Sequence, residues 1–197
     1  MAPSLTHVST VIELIPEASR VVTDLPLDGQ WSRPTPCSGW TVRDLLNHLT
    51  AEHLWAPHLL RGQTLEAVGD RYAGDVLGED PAGAWRRAIA GSVLAWGQAD
   101  PAGSVHTSMG QIPVQDYASQ MLVDLTVHAW DLARAVGLRP HLVADAVEAA
   151  LAYEKPRVDG GEVPGIFAAP VATDSESRVD QLVALLGRDP RWAPAAS

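Results

Sequence analysis

The stretch Met121–Val136, MLVDLTVHAWDLARAV, decides the fold of this chain. Read as a helix at about 100° per residue, it carries an apolar stripe along one face. The stripe consists of Met121, Leu125, Leu132 and Val136. Asp124, His128 and Asp131 fall together on the shoulder of this stripe, and their spacing makes their side chains neighbours on the helix surface.

These three polar side chains have two interpretations. A carboxylate and an imidazole one turn apart, beside a buried seam, supply half of a divalent metal site. Alternatively, His128 is a half-buried core histidine that bonds to a neighbouring carboxylate, and the stretch taken alone favours this structural role. A metal site needs further ligands from elsewhere in the chain.

The composition is that of an ordinary globular protein. The 197 residues, 46% of them hydrophobic, predict a single domain over 1–197 whose core needs no disulfides. The net charge of −10 argues against a nucleic-acid partner. The chain has a single cysteine, no apolar run of ~20 residues and no basic region ahead of an apolar N-terminal block. These features predict a cytoplasmic protein without a signal peptide or a membrane span.

Six helices are predicted from apolar spacing and from start and stop signals. They cover 5–25, 41–60, 81–100, 114–136, 142–153 and 179–186. Pro16 is expected to kink or restart the first helix and Pro156 to limit the fifth, while Thr41 and Asp44 form a capping-box pair at the second. Segment 104–113 is expected to be a short hairpin or an extended loop. This pattern predicts an all-α bundle.

The second helix supplies candidates for the other half of the site. His48 lies on the flank of its apolar stripe, and Glu52 follows one turn later on the same flank. In an antiparallel bundle His48 can meet Asp124 and His128, which gives two imidazoles, one carboxylate and an open position, the pattern of catalytic zinc. Nickel, iron or cobalt accept similar ligands. Glu52 and Asp131 are candidates for orienting an imidazole or for a general base near the metal.

Other chemistry-bearing residues are assigned structural roles. Cys37 has no basic partner beside it in sequence, so a small apolar filler in a loop is favoured over a nucleophile. His53 is expected in the core, whereas His58 is expected at the surface or in a cap. The seven tryptophans are assigned mostly to the core or the bundle lining, with some available to wall a pocket.

Three segments together resemble a known family. They are TPCSGWTVRDLLNHL (Thr35–Leu49), DLTVHAWDLARAVG (Asp124–Gly137) and LVALLGRDPRW (Leu182–Trp192). Their order, separation and motifs resemble the actinobacterial metal-binding branch of the DinB-like superfamily, which is related to mycothiol-dependent maleylpyruvate isomerase. The resemblance covers nearly the whole chain, and its Cys-x-Gly-Trp-Thr and His-x-Trp-Asp-Leu-Ala-Arg motifs are specific.

The resemblance implies a DinB-like four-helix bundle with additional C-terminal helices. It also implies a metal held by a histidine of the second helix and an acid-x3-His pair of the fourth, positions that are His48, Asp124 and His128 here. The family usually has glutamate where this chain has Asp124, which shortens the reach of the carboxylate by about 1.5 Å. A metal at Asp124 is therefore expected to be held through a shifted helix, through water, or weakly.

The resemblance further implies an enzyme with a divalent metal, zinc first and nickel second, and mycothiol as co-substrate. The open metal position would hold the thiol as thiolate for attack on an electrophilic small molecule, in a transfer, an isomerisation or a detoxification. Asp131 or Glu52 would handle protons. The related isomerase has a further C-terminal domain, for which this chain leaves no room after Trp192, so maleylpyruvate isomerisation itself is not expected.

Two alternative functions stay open. The same metal can activate water for hydrolysis, and a dependence on added thiol would distinguish the two reactions. Alternatively, the chain binds a small apolar ligand in a tryptophan-lined pocket without catalysis, having lost its metal with the change to Asp124. A homodimer also stays open, because no helix face is diagnostic of one.

Overall fold

Seven helices and one hairpin make up the described part of the computed structural model, which is residues 5–108, 110–161 and 167–194, with side chains from residue 11 onward. The helices are α1 Leu5–Thr23, α2 Val42–Leu60, α3 Leu65–Val68, α4 Pro81–Gln98, α5 Val114–Ala135, α6 Ala144–Asp159 and α7 Arg178–Leu185. Strands β1 Ser104–Thr107 and β2 Gly110–Pro113 pair antiparallel, with Val105 opposite Ile112. The predicted all-α class is confirmed.

Four long helices form the bundle. Helix α1 packs against α4 and α5, and α2 packs against the same two helices, so the four helices close a ring around one core. Helix α6 packs on the outside of α5, and α7 packs on α6. The predicted four-helix bundle with additional C-terminal helices is thus the observed arrangement.

Helix α5 is buried on two faces, which explains its mostly apolar sequence. One face carries the predicted stripe into the bundle core, where Met121, Leu125 and Leu132 are buried. A second face carries Val123, Val127 and Trp130 into a separate core with α6 and α7. The sequence prediction of a single apolar stripe was therefore too narrow, because α5 is shared between two cores.

The predicted helix starts are confirmed by their caps. Thr41 accepts from the Asp44 backbone amide while the Asp44 side chain accepts from the Thr41 amide, a complete capping box at the start of α2. The Asp80 side chain caps α4 by accepting from the Gly83 amide, with Pro81 as the first helical residue. These caps fix where the flank residues of each helix lie.

The structure differs from the predicted helix boundaries at one proline and adds one short helix. Helix α1 runs through Pro16 without a restart, with buried Val11 and Ile15 before the proline and buried Ala18 and Val22 after it. The alternative of a kink at Pro16 stays a prediction.

Helix α6 runs through Pro156 to Asp159. Because proline has no backbone N–H, the carbonyl of Ala152 one turn earlier has no partner within the helix. Pro156 and Ala152 are both exposed, so water can bond to that carbonyl. The connection 62–78 contains the one-turn helix α3.

None of the helices in the described part of the chain combines the length and the hydropathy that a membrane span requires. This finding agrees with the composition, which has no long apolar run.

Candidate metal centre

Helices α2 and α5 bring the three predicted ligands together. The Nε2 atom of His48 lies 3.0 Å from Asp124 Oδ2, and that of His128 lies 3.2 Å from Asp124 Oδ1. One nitrogen from each histidine and a carboxylate oxygen of Asp124 all lie within 4.8 Å of one another. The two imidazole rings are 5.3 Å apart between centroids and nearly perpendicular. The shorter acid Asp124 therefore still reaches both imidazoles.

Local sequence explains why these side chains meet. The capping box at Thr41 and Asp44 starts α2 about two turns before His48, which places that imidazole on the flank beside α5. On α5 the four-residue spacing stacks Asp124 and His128 on one face. The flank of one helix therefore supplies one ligand, and the facing helix supplies two.

Asp131 holds the far side of the His128 ring. Its Oδ2 atom accepts from His128 Nδ1 at 2.9 Å and from Arg188 Nη2 at 3.0 Å, and its side chain is fully buried. Burial acts to raise the pKa of Asp131, but His128 and Arg188 outweigh burial and hold that pKa below its usual value. The ionised carboxylate fixes the His128 ring so that Nε2 points at Asp124.

The interpretation of Cys37 as an isolated apolar filler was wrong. Its Sγ atom lies 3.2 Å from Asp131 Oδ2, 3.1 Å from Arg188 Nη2 and 3.8 Å from His128 Nδ1. The thiol donates to Asp131 and accepts from Arg188, so it belongs to a polar network. Arg188 is 151 residues away in sequence, which is why no local pattern indicated this basic partner.

The electrostatics of the three candidate ligands are mutually reinforcing. Burial opposes protonation of the imidazoles, but the Asp124 carboxylate outweighs it and raises the pKa of both His48 and His128. Conversely, burial acts to raise the pKa of Asp124, and the two imidazoles outweigh it and lower that pKa. The cluster therefore holds a carboxylate between two imidazoles that take up protons readily.

Glu52 lies beside this cluster, on the cavity that His48 and Asp124 also line. Burial, and then the charge of Asp124, raise the pKa of Glu52 to about 7. Of the two acids singled out as catalytic candidates, Glu52 therefore faces open space, whereas Asp131 is enclosed.

Two cavities meet at the cluster. One, of about 300 Å³, extends toward α6 and is lined by Glu52, Tyr117 and Glu154 in addition to His48 and Asp124. The other, of about 460 Å³, opens on the opposite side. Its lining includes Cys37, Trp40, His48, Asp124, His128 and Arg188. Both cavities give small molecules access to His48 and Asp124, and the larger one also gives access to His128.

The expectations for three further residues had different outcomes. His53 is fully buried, as expected for a core histidine. Trp40 walls a cavity and contacts the His48 ring edge-on at 5.3 Å between centroids. The surface or cap prediction for His58 was wrong, because His58 is buried and bonds to Gln63 and Tyr72.

Two residues near the cluster had escaped sequence reasoning. Arg188 stood in the segment Leu182–Trp192 that resembles the family, so its motif was a usable signal. Phe167, which lines both cavities, follows a segment rich in glycine and proline and carried no signal.

The donor set fits a divalent metal. Two imidazole nitrogens and one carboxylate are the three protein ligands of many catalytic zinc sites. The bond from His128 Nδ1 to Asp131 is the carboxylate–histidine contact that orients metal-ligating imidazoles. Metal would displace the protons from both Nε2 atoms, so affinity for it would fall as pH falls.

Comparison with known proteins agrees with the fold. A crystal structure of a mutant of mycothiol-dependent maleylpyruvate isomerase is similar with a TM-score of 0.58 at 16% sequence identity, covering 79% of this chain and 70% of that one. At this identity the likeness shows a shared fold, and it supports the predicted DinB-like bundle.

Sequence comparison identifies the family. Two uncharacterized proteins of Mycobacterium tuberculosis, from strains CDC 1551 and H37Rv, are each 32% identical over 173 residues, covering 82% of this chain and 87% of theirs. Residues 13–133 match the sequence model of the mycothiol maleylpyruvate isomerase N-terminal domain, a span that contains all three candidate ligands. The chain therefore belongs to the mycothiol maleylpyruvate isomerase N-terminal domain family.

Proposed function

We propose that this chain is a divalent-metal-dependent enzyme that uses mycothiol in a transferase or isomerase reaction on an electrophilic small molecule. The observation that supports it is the convergence of His48 Nε2, the Asp124 carboxylate and His128 Nε2 at the meeting point of two cavities. The family description and the structural neighbour both name mycothiol, which makes that thiol the proposed co-substrate.

His48, Asp124 and His128 would hold the metal, with zinc the first choice and nickel the second. When bound, the ion would keep a thiol as thiolate at neutral pH. Asp131 acts as a positioning residue, because its bond to His128 Nδ1 directs His128 Nε2 toward the cluster. Asp131 is enclosed by partners, so we do not assign it proton transfer.

Glu52 is the residue to which we assign proton transfer. Burial and the charge of Asp124 raise its pKa to about 7, so its carboxyl group can take up or release a proton near neutral pH. It lines the cavity of about 300 Å³, where a substrate would have access to it. We also propose a cytoplasmic location, because Cys37 is a free thiol and a thiol co-substrate needs a reducing compartment.

Thiol consumption tests this function. Zinc-loaded protein is mixed with mycothiol and monobromobimane, a thiol-reactive electrophile, and the loss of thiol is followed above the uncatalysed rate. We expect acceleration by the wild type, none by His128→Ala, and an unchanged rate for His141→Ala, which alters an exposed histidine. Equal rates for wild type and His128→Ala would contradict the proposal, and turnover of substrate without thiol would indicate hydrolysis instead.

A further inference from the structure

The cavity between α2, α5 and α6 has the lining of a binding pocket. It has a volume of about 300 Å³ and shares His48 and Asp124 with the candidate metal centre. Its other polar lining includes Tyr117 of α5 together with Glu154 and Arg157 of α6. One water molecule takes up about 30 Å³ in the liquid, so the cavity has room for a much larger molecule.

Three polar atoms in this lining are buried without a hydrogen-bond partner. They are the Tyr117 hydroxyl, Glu154 Oε2 and Arg157 Nε, and none of them bonds to any of the described residues. Tyr117 and Glu154 are only 5% and 3% exposed. Buried polar atoms in folded proteins are nearly always bonded. Because all three residues line the cavity, a molecule bound there is the natural partner for these atoms.

The gap between Glu154 and Arg157 indicates which chemical group fits. Arg157 Nε lies 4.0 Å from Glu154 Oε2, which is too far for a direct hydrogen bond. A hydroxyl group can accept from Arg157 Nε and donate to Glu154 Oε2 at the same time. An ammonium group has no lone pair for the first atom, and a carboxylate has no hydrogen for the second, so neither ion serves both.

A hydroxyl group also fits both protonation states of Glu154. Burial raises the pKa of Glu154 above its usual value, so its carboxyl group takes up a proton more readily than an exposed one. A hydroxyl can donate to the ionised carboxylate and can accept from the protonated carboxyl group. The match therefore does not depend on the charge of Glu154.

The charges around the cavity favour an uncharged ligand. Glu154 lies beside Arg157, and Asp124 lies between the two imidazoles of the cluster. Burial, and then the charge of Asp124, raise the pKa of Glu52 to about 7, so Glu52 is only partly ionised at neutral pH. The second imidazole, or a divalent metal in place of the two imidazole protons, offsets this partial charge. The lining therefore has no clear excess of either sign with which to attract an ion.

We propose that this cavity binds the sugar and inositol rings of mycothiol, with one ring hydroxyl bridging Arg157 Nε and Glu154 Oε2 and another bonding to the Tyr117 hydroxyl. Mycothiol joins its cysteine to a glucosamine and an inositol ring, which carry many hydroxyls and no charge at neutral pH. The inference rests on the proposed function, which makes mycothiol the co-substrate. The thiol end would reach the centre at His48 and Asp124, and the electrophile would enter through the larger cavity.

Three S-methylated probes, which cannot form a thiolate, test the proposal. They are S-methyl mycothiol, the uncharged amide of S-methyl-N-acetylcysteine, and S-methyl-N-acetylcysteine with its free carboxylate. Calorimetry measures their binding to the full chain, both as purified and after chelation, so that contact with a metal is separated from binding in the cavity. We expect S-methyl mycothiol to bind at least about tenfold more tightly than either smaller probe.

Two results would overturn the proposal. If the amide binds as tightly as S-methyl mycothiol, the rings make no contribution and water is the partner of the three buried atoms. If the carboxylate probe binds as tightly, the cavity is a site for anions and not for hydroxyl groups.

Variants locate the binding. Tyr117→Phe should weaken S-methyl mycothiol binding by about fivefold and Glu154→Leu by about tenfold, while the amide should bind as to the wild type. Tyr72→Phe is the matched control for the first, because the Tyr72 hydroxyl bonds to His58 instead. Glu66→Leu, at an exposed glutamate, is the control for the second. Unchanged binding in both cavity variants would overturn the assignment.

The metal content and thiol consumption of the same samples separate this inference from the proposed function, since neither Tyr117 nor Glu154 is a proposed ligand. A protein that binds zinc and consumes mycothiol, yet does not prefer S-methyl mycothiol over the amide, overturns only this inference. A protein that prefers S-methyl mycothiol but neither binds metal nor consumes thiol overturns the proposed function.

Discussion

Asp131 is the residue that connects the candidate ligands to the rest of the molecule. Its carboxylate accepts from His128, Arg188 and Cys37 while having no exposed surface of its own. A buried carboxylate is tolerated only where such partners satisfy its charge. The same bonds determine the direction of the His128 ring, so Asp131 influences a metal that it would not touch.

Replacing Asp131 by asparagine should therefore weaken zinc binding without removing a ligand. Losing an orienting carboxylate of this kind typically costs 10–100-fold in metal affinity, so we expect a decrease of roughly that size. Competition with a chromophoric chelator measures it, with Asp145→Asn, an exposed aspartate, as the control. An affinity equal to that of the wild type would show that the contact does not orient His128.

At the residue scale, the positions of the three candidate ligands could be predicted from their spacing in the sequence. The four-residue step from Asp124 to His128 and the flank position of His48 follow from helix geometry and from one helix contact, so all three could be placed together. The pairing of Cys37 with Arg188 could not be predicted, because it depends on how the C-terminal segment returns to the bundle.

At the element scale, a hydrogen bond between side chains of α1 and α2 involves a buried neutral histidine. His53 Nε2 lies 3.2 Å from Ser19 Oγ, and the His53 ring meets Trp85 edge-on at 5.0 Å between centroids. Burial lowers the pKa of His53 to about 3. The imidazole therefore stays neutral in the folded protein at pH values where it would be protonated in the unfolded chain.

The stability of the bundle should fall in acid because of His53. His53 takes up a proton below pH 6.5 in the unfolded chain and only near pH 3 in the folded chain. The free energy of unfolding is therefore unaffected by His53 above pH 6.5 and decreases progressively as pH falls toward 3. Between pH 7 and pH 5 the loss amounts to about 2 kcal/mol.

Urea unfolding of the wild type and of His53→Phe at the two pH values measures this contribution. Other groups titrate in both proteins, so the difference between the two pH dependences isolates His53. The variant should lose about 2 kcal/mol less than the wild type on acidification. An identical pH dependence in the two proteins would contradict a neutral buried His53.

The start of a helix could be predicted where a side chain caps it. The course of a helix could not be predicted where the folded structure lets it continue through a proline. The caps at Thr41 and Asp80 are local hydrogen bonds, so the starts of α2 and α4 could be read from the sequence. Pro16 and Pro156 are unfavourable in helices, yet tertiary packing at the first and an exposed position at the second let α1 and α6 continue. The second core behind α5 depends on α6 and α7 and had no local signature.

At the scale of the whole molecule, Arg188 joins three separate parts of the chain. It follows α7, donates to Asp131 on α5, and contacts Cys37 in the loop before α2. Its side chain is only 8% exposed, so this is a buried ion pair and not a surface one. The C-terminal segment is in this way part of the environment of the candidate metal centre.

Removing Arg188 should destabilise the whole protein. Arg188→Ala leaves the buried Asp131 charge without its cationic partner, for which we expect a loss of about 3 kcal/mol in the free energy of unfolding. Arg178→Ala is the matched control, because its ion pair with Glu148 is about half exposed and should contribute less than about 1 kcal/mol. Equal losses in urea unfolding would contradict the role assigned to Arg188.

The metal content per chain of protein purified without chelators tests the central claim most directly. Elemental analysis of the wild type and of His48→Ala is sufficient, because that substitution removes one proposed ligand from α2 and leaves Asp124 and His128 in place. We predict close to one zinc or nickel per chain in the wild type and its loss in the variant. A wild-type protein that contains no metal and takes up no added zinc would contradict the claim, and would indicate that the change to Asp124 has abolished the site.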